Sequence, residues 1–261
     1  MLIYPQAPNG SVCQFPFEKQ LQYRTIVNSA EDGSRIVLED PNASAIRWTL
    51  KYSGLTDTEL ATFQSFFESM SGRLDTFTFI DPSGNLLAWS EDFGQTAWQK
   101  PTLLQCQTSI ADPLGTQRAT SVANSGSGDL ALAQSVSVPG SYLCCFSFFV
   151  QSASPAAITL TRGSISKTVA ISSSWNRVFL STTTPDGSDT STFGITISAG
   201  QQIDLFGVQV EAQAIPSTYV QTLDRSGVYP ATRFDSDSLS STADAPNSNA
   251  CEIKLYSRLA L

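Results

Sequence analysis

The architecture of this chain is decided by residues 46–72, which read IRWTLKYSGLTDTELATFQSFFESMSG. The first seven of these residues alternate. Ile46, Trp48, Leu50 and Tyr52 lie on one side, and charged or hydroxyl side chains lie on the other. An alternation with a period of two residues is typical of a strand with one buried face. The sequence therefore predicts a half-buried strand here.

Directly after this strand the pattern changes to that of a helix. Thr56 and Glu59 form a capping box, in which each side chain can bond the backbone amide of the other residue. Gly72 then supplies a left-handed stop. The sequence predicts one amphipathic helix, Asp57–Ser71, which turns four apolar residues to the core: Leu60, Phe63, Phe67 and Met70.

Further strands are predicted before residue 46 and after the helix. They are predicted at Gln22–Val27 and Ser34–Leu38, which the hairpin turn Asp32-Gly33 joins, and at Thr76–Ile80. Residues 250–257 alternate again, and a terminal strand of this kind needs a sheet to join. The fold class is therefore mainly β, with a β-sandwich-like platform domain that carries one amphipathic α-helix.

A change of composition divides the chain after Asn85. Residues 86–222 carry 13 charged side chains, and the other 124 residues carry 25. A tail of about 39 residues is too short to fold by itself, so it completes the first domain. We expect a discontinuous platform domain, 1–85 and 223–261, with an inserted domain, 86–222. Seven short strand-like runs predict a β-sandwich or jelly roll in the insert: 131–138, 142–150, 157–161, 167–171, 177–182, 193–197 and 203–211.

Composition also excludes several functional classes. The formal charge of −8 and the pI near 4.5 argue against nucleic-acid binding, because phosphate contacts need clustered Lys and Arg. No apolar run reaches the roughly 20 residues that span a bilayer, so membrane insertion is not expected. The chain has no histidine, which removes the commonest general base and metal ligand. We therefore expect no enzyme activity, and five reduced cysteines.

The run from residue 46 through Phe66-Phe67, Gly72-Arg73 and 77–82 fits the pattern W-x-L-x-Y-x-G-L-T-D-x-E, F-F, G-R, F-x-F-x-D-P. It resembles distal tail proteins and minor tail proteins of long-tailed phages. The resemblance implies a virion structural protein of the tail tip, synthesised in the host bacterial cytoplasm. It also implies a hexameric ring that contacts the tail tube and the tip or hub proteins.

The insert resembles a second group of proteins. Residues 85–93 (NLLAWSEDF), 173–178 (SSWNRV), 205–211 (LFGVQVE) and 216–219 (PSTY) are similar to carbohydrate-binding jelly rolls of phage tail and fibre proteins. The resemblance implies that the opening and closing strands lie side by side and that the insert contacts host surface glycans. The alternative is a soluble carbohydrate-binding protein or a glycan-degrading tail accessory.

Aromatic residues of the insert are the candidate sugar contacts, because aromatic faces attract the C–H side of a sugar ring. Trp98 is the leading candidate, since its context is polar and turn-like. Tyr142 and Tyr219 are further candidates. Trp89 and Trp175 rank lower than Trp98 because they match structural positions of the family. For each of these residues the alternative is a place in the core.

Three carboxylates are candidate ligands of a structural calcium ion if the opening and closing strands are neighbours. They are Glu91, Asp92 and Glu211. The alternative is that they are solvated or hydrogen-bonded within the protein. The same carboxylates are the only candidates for acid–base chemistry, which would require two carboxyl groups about 5–10 Å apart in a cleft.

Overall fold

The computed structural model describes residues 2–40, 43–185 and 187–259. The fold is mainly β, as the sequence predicts. The strands and the helix of the described residues are, in chain order, β1 (Glu18–Gln22), β2 (Thr25–Ser29), β3 (Arg35–Glu39), β4 (Ala45–Leu55), α1 (Asp57–Ser69), β5 (Phe77–Ile80), β6 (Leu104–Ile110), β7 (Ala119–Asn124), β8 (Leu130–Val136), β9 (Cys144–Gln151), β10 (Ala156–Arg162), β11 (Ile165–Ile171), β12 (Asn176–Thr182), β13 (Ser191–Ile197), β14 (Gln202–Glu211), β15 (Val228–Phe234), β16 (Ser241–Ala245) and β17 (Ser248–Arg258).

The chain forms two compact units. Unit 1 comprises Met1–Ala7, Val12–Phe79 and Tyr229–Leu261, and unit 2 comprises Pro8–Ser11 and Ile80–Val228. The junctions near residues 80 and 228 lie within six residues of the expected boundaries, but Pro8–Ser11 belongs to unit 2 although the expected platform domain includes it. The ring-forming role assigned to the first domain stays a prediction.

Unit 1 is built on a six-stranded sheet in the order β1-β4-β17-β15-β5, with β16 paired to β17. The terminal strand β17 lies antiparallel to β4 and places Ile253 opposite Leu50 and Leu255 opposite Trp48. All four of these side chains are buried. The alternating C-terminal strand therefore completes the sheet begun by the first part of the chain.

The helix α1 begins where the sequence predicts. The Thr56 hydroxyl accepts from the Glu59 amide at 3.2 Å, and a Glu59 carboxylate oxygen accepts from the Thr56 amide at 2.9 Å. The helix ends two residues earlier than predicted, because Ser71 and Gly72 both adopt positive φ angles. Among the described residues, no helix combines the length and the apolar character needed to cross a bilayer.

Unit 2 contains two antiparallel sheets that match the predicted sandwich. One sheet has the order β11-β10-β13-β8, and the other has the order β12-β9-β14-β7-β6. Their buried side chains meet between the sheets, where the rings of Phe146 and Phe193 lie 5.7 Å apart. The seven predicted strands correspond to β8 to β14. Two further strands, β6 and β7, were not predicted from the sequence.

The opening segment of unit 2 differs from the expectation drawn from the resemblance. Residues 85–93 form turns and bends rather than a strand. The segment still lies beside β14, because the Leu86 amide donates to the Val210 carbonyl at 2.8 Å. The prediction that the opening segment lies beside β14 is confirmed, but the prediction that residues 85–93 form a strand was wrong.

All five cysteines are free thiols.

Candidate functional site

An open cleft of about 250 Å³ lies at the edge of the five-stranded sheet of unit 2. The opening segment forms one wall, β6 and β7 form another, and the segment that follows β14 closes the third side. The chain thus brings together residues that are far apart in sequence. The lining includes Trp89, Glu91, Thr108, Arg118, Gln221 and Thr222.

Trp89 is held at the wall of this cleft in a backbone conformation that large side chains rarely adopt. Its φ is 52°, in the left-handed region. The Trp89 amide donates to the Leu223 carbonyl at 2.7 Å, and the Trp89 carbonyl accepts from the Trp98 indole N–H at 2.9 Å. Its side chain is half-buried. Such strain persists only where the surroundings fix it, and it is concentrated at functional sites.

Beside Trp89, three polar side chains bond one another. Arg118 Nε and Nη2 donate to the two carboxylate oxygens of Glu91, at 3.0 Å from Nε. Gln221 completes the network, since its amide donates to Glu91 at 3.0 Å and accepts from Arg118 at 2.8 Å. Hydrogen bonding to Glu91 raises the pKa of the Arg118 guanidinium, which therefore stays cationic. The arrangement offers planar donors and acceptors where the three walls of the cleft meet.

Asp112 shapes the loop between β6 and β7 that presents Arg118. Its carboxylate accepts from the amides of Leu114 at 2.8 Å, Thr116 at 3.2 Å and Arg118 at 3.0 Å, and from the Thr116 hydroxyl. Burial raises the pKa of the Asp112 carboxyl, but these hydrogen bonds together lower it by more. The pKa of Asp112 therefore lies below its ordinary value. The stabilisation is therefore present above the ordinary carboxyl pKa and is lost as the pH falls through the depressed pKa.

Trp98 and Tyr142, two of the predicted sugar contacts, are buried. Trp98 is 5% exposed, its ring contacts Phe93 edge-on at 5.0 Å, and its N–H bonds the Trp89 carbonyl. Tyr142 is 4% exposed. Neither ring has a free face for stacking on a sugar in this structure. Trp98 supports the opening segment through the Trp89 carbonyl, whereas Trp89 itself lines the cleft, so the structure favours Trp89 over Trp98 as a candidate contact.

Tyr219 is half-buried and packs onto the outer surface of the five-stranded sheet. Its ring lies 5.4 Å from that of Phe206 and covers Gly207, where an added Cβ would come within 3.1 Å of the ring. Its hydroxyl bonds the Ser90 hydroxyl at 2.7 Å. Burial raises the pKa of Tyr219 above its ordinary value, so the phenol stays protonated. Tyr219 therefore anchors residues 212–223, the return segment that follows β14, next to the cleft.

The three predicted calcium ligands have separate partners. Glu91 bonds Arg118, and Asp92 caps its own turn by accepting from the Gly94 amide at 3.0 Å. Glu211 accepts from the Ser217 amide at 3.1 Å. No group of three or more His, Cys, Asp or Glu side chains within the described ranges is placed to hold a metal ion. The three carboxylates therefore do not gather at one point: Glu91 joins distant segments of the cleft, and Asp92 and Glu211 each stabilise a local turn.

A second pocket of unit 2, of about 330 Å³, lies at the other end of the five-stranded sheet. Small and polar residues line it, including Ser152, Pro155, Gln201 and Asp204. The Asp204 carboxylate there accepts from the Gln151 amide at 3.1 Å. This lining contains no aromatic ring, so the Trp89 cleft is the better candidate for a site that recognises a ring-shaped ligand.

The comparisons with known proteins concern the fold. No known protein family matches the sequence, and no curated protein matches it. Carbohydrate-binding modules recur among the similar solved structures. TmCBM61, solved with β-1,4-galactotriose, has a TM-score of 0.37 and 13% identity over 48% of this chain and 97% of its own. The C-terminal family 22 carbohydrate-binding module of Clostridium thermocellum Xyn10B has a TM-score of 0.39 and 11% identity over 52% and 97%.

A phage protein also appears among the similar structures. The enzymatically active domain of tailspike protein 4 of bacteriophage CBA120 has a TM-score of 0.37 and 10% identity. The match covers 51% of this chain and 22% of that one. At these TM-scores and identities, the likenesses say nothing about a ligand or an activity of this chain.

Proposed function

We propose that unit 2 is a non-catalytic glycan-binding module and that its site is the Trp89 cleft. The observation that carries this proposal is a half-buried indole beside the bonded trio Glu91, Arg118 and Gln221, which joins the three walls of one open cleft. Sugars present apolar C–H faces and vicinal hydroxyls, which suit an aromatic ring and planar hydrogen-bonding groups respectively. The open form of the cleft suits a chain of sugars.

The proposal includes no chemical step. The chain has no histidine. Two carboxylates line the cleft, and both are hydrogen-bonded within the protein: Glu91 accepts from Arg118 and Gln221, and Asp92 accepts from the Gly94 amide. General acid–base hydrolysis of a glycoside needs two carboxyl groups with different protonation tasks. Recognition without turnover is the function that this arrangement supports best.

We propose that unit 1 is the structural platform of a phage tail-tip protein, which would carry the glycan-binding unit 2 to the host surface. The support is the tail-protein pattern of residues 46–82, which folds as β4, the capped helix α1 and β5 in direct succession. On this proposal the chain forms a hexameric ring, contacts the tail tube and the tip or hub proteins, and is located in the virion.

The glycan-binding proposal predicts that Trp89→Ala weakens sugar binding about five- to thirtyfold, because it removes an aromatic contact of about 1–2 kcal/mol. Trp175→Ala is the matched control, since Trp175 is also half-buried in unit 2 but does not line the cleft. Isothermal titration with xylohexaose, a mixed-linked β-1,3-1,4 tetrasaccharide and purified bacterial surface polysaccharide would measure both variants.

Equal loss in the two variants would contradict the assignment of the cleft, and so would binding that survives Trp89→Ala. If none of these glycans gives a measurable heat of binding at millimolar concentration, the proposed function of unit 2 is overturned. Arg118→Ala is a second test, because it removes the charged partner of Glu91 without touching the indole. We expect it to weaken binding as well.

The structural role predicts six copies of the chain for each tail. Quantitative mass spectrometry of purified phage particles, together with cryo-electron microscopy of the tail tip, would count and place them. A ring of six copies at the junction of tube and tip supports the proposal. A single copy for each tail, or absence of the protein from purified particles, would contradict it without affecting the glycan-binding test.

A further inference from the structure

The hairpin of β2 and β3 forms a separate sheet in unit 1. Within the described ranges no third strand joins it, and all ten of its residues are exposed. Both faces of this hairpin carry apolar side chains that are 40–63% exposed. They are Ile26, Leu38 and Ile36 on one face and Val27 and Val37 on the other. An isolated hairpin is marginally stable in water, and an exposed apolar ribbon marks an interaction surface.

The ladder of this hairpin shows which backbone groups point away from it. The Asp40 amide donates to the Arg24 carbonyl, and the Ala30 amide donates to the Ser34 carbonyl. In an antiparallel ladder, residues alternate between bonding the partner strand and facing the opposite edge. The even-numbered residues of β3 therefore bond β2. The odd-numbered residues Arg35, Val37 and Glu39 turn their N–H and C=O groups to the outer edge.

The sequence of this outer edge is complementary to itself. The strand β3 reads Arg-Ile-Val-Leu-Glu from Arg35 to Glu39. If a second β3 lay antiparallel to it with a twofold axis at Val37, Arg35 would face Glu39 at both ends. Ile36 would face Leu38, and Val37 would face its own copy. The residues with outward backbone groups are those that this register pairs, so six backbone hydrogen bonds would form.

We propose that the free edge of β3 pairs with β3 of a second copy of this chain and forms a continuous four-stranded antiparallel sheet. Charge complementarity selects this occupant, since Arg35 and Glu39 at the two ends match only in the antiparallel register. The strand β2, Thr25–Ser29, carries no charge. An edge strand is a ready template for such pairing. This interface is isologous, whereas a ring requires two different surfaces, so the two assemblies are independent.

A charge-reversal cycle tests the register. Arg35→Glu should weaken self-association of the full chain about tenfold, because each dimer would gain two like-charge pairs. Glu39→Arg should weaken it by a similar factor. The double variant Arg35→Glu with Glu39→Arg restores opposite charges at both ends and should return to within about threefold of the unchanged chain. Sedimentation velocity over a concentration series would give the dissociation constants.

A proline pair tests which edge is used. Val37→Pro removes the central N–H of the outer edge of β3 and should abolish the dimer. Val27→Pro is the matched control, because Val27 lies directly opposite Val37 and its N–H points to the outer edge of β2. Both variants alter the same hairpin to the same extent, but only the first blocks the proposed interface. Far-UV circular dichroism would verify that the large sheet of unit 1 remains folded in both variants.

Dimers that survive Val27→Pro and disappear with Val37→Pro, together with rescue by the double charge reversal, would support the proposal. It is overturned if the unchanged chain stays monomeric up to its solubility limit. Equal effects of the two proline variants would also overturn it, as would a double reversal that fails to restore association. If the chain forms a ring of six copies that none of these substitutions weakens, β3 is not the self-association interface.

Discussion

Arg162→Ala is expected to lower the free energy of unfolding of unit 2 by about 3–5 kcal/mol. Arg162 ends β10 and is fully buried. Its guanidinium donates to the Tyr142 carbonyl at 2.7 Å, to the Pro139 carbonyl at 2.9 Å and to the Thr182 carbonyl. Alanine would remove this donor from all three carbonyls, of which the Pro139 carbonyl still accepts from the Tyr142 amide. It would also leave a cavity beside the ring of Phe193, over which the guanidinium lies at 5.4 Å.

This arginine connects loops that belong to different strands. The carbonyls that it bonds come from the turn before β9 and from the end of β12, so one side chain fixes two connections to β10. Lysine keeps the charge but lacks the planar fork of donors. Arg162→Lys should therefore lose a large part of the same free energy. Chemical denaturation followed by tryptophan fluorescence would measure these losses.

Arg118→Ala provides the stability control for Arg162. The Arg118 side chain is 38% exposed, and its ion pair with Glu91 lies at the surface of the cleft. Exposed ion pairs contribute about 0–1 kcal/mol to stability, so this variant should lose less than about 1 kcal/mol. A similar loss for both arginines would show that the buried carbonyls of the Arg162 site find other partners, in contradiction to the prediction.

Much of unit 1 follows from local sequence. The strand β4 alternates because one of its faces packs on the core and the other meets solvent. The helix α1 begins directly after its N-cap Thr56, because Thr56 and Glu59, three residues apart, cap each other. Both signals are contained within a few neighbouring residues. The end of α1 was predicted two residues late, because Ser71 takes a left-handed conformation one residue before Gly72 does.

The edge of the five-stranded sheet gave no such signal. The strand β6 exposes five successive residues, 105–109. Its sequence therefore lacks the alternation of apolar and polar residues that marks a half-buried strand. Its neighbour β7 buries almost every residue, so it lacks alternation for the opposite reason. A period-two pattern requires one wet face and one dry face. Sequence reasoning therefore missed the two strands that form a wall of the candidate site.

The cleft itself depends on contacts between distant segments. The sequence around Trp89 does not show that its backbone adopts a left-handed conformation. It also does not show that the backbone of Trp89 hydrogen-bonds the Leu223 carbonyl and the Trp98 indole. The polar context of Trp98 suggested exposure, but its indole N–H is satisfied by a buried carbonyl. The residues next to Trp98 in sequence are polar, but the Trp98 side chain itself is buried. Only the three-dimensional arrangement separates a supporting tryptophan from a lining one.

Asn85→Ala is expected to destabilise unit 2 by about 3–5 kcal/mol and to abolish the cleft with it. Asn85 is 1% exposed, and its side chain makes four hydrogen bonds. Its amide donates to the carbonyls of Val208 at 2.9 Å and Val220 at 3.1 Å. Its side-chain oxygen accepts from the amides of Leu87 and Val210, each at 3.1 Å. Alanine leaves two donors and two acceptors without this partner, and three of these four groups belong to fully buried residues.

Asn85→Asp separates the two halves of this network. Aspartate has the shape of asparagine and keeps both acceptor bonds, but it sets a carboxylate oxygen against the carbonyls of Val208 and Val220. We expect a loss comparable to that of alanine, because a buried charge without a donor is strongly unfavourable. Asn176→Ala is the matched control. The Asn176 side chain is exposed in the same unit, so this change should stay within about 0.5 kcal/mol.

The position of Asn85 explains why its loss should reach the cleft. Its two donor bonds join β14 to the return segment that carries Gln221, and its acceptor bond to Leu87 fixes the opening segment just before Trp89. Both walls that meet at the cleft therefore depend on one side chain. Hydrogen exchange of the Trp89 and Thr222 amides should accelerate in Asn85→Ala and stay unchanged in Asn176→Ala. Protection that is equal in the two variants would contradict this coupling of core and cleft.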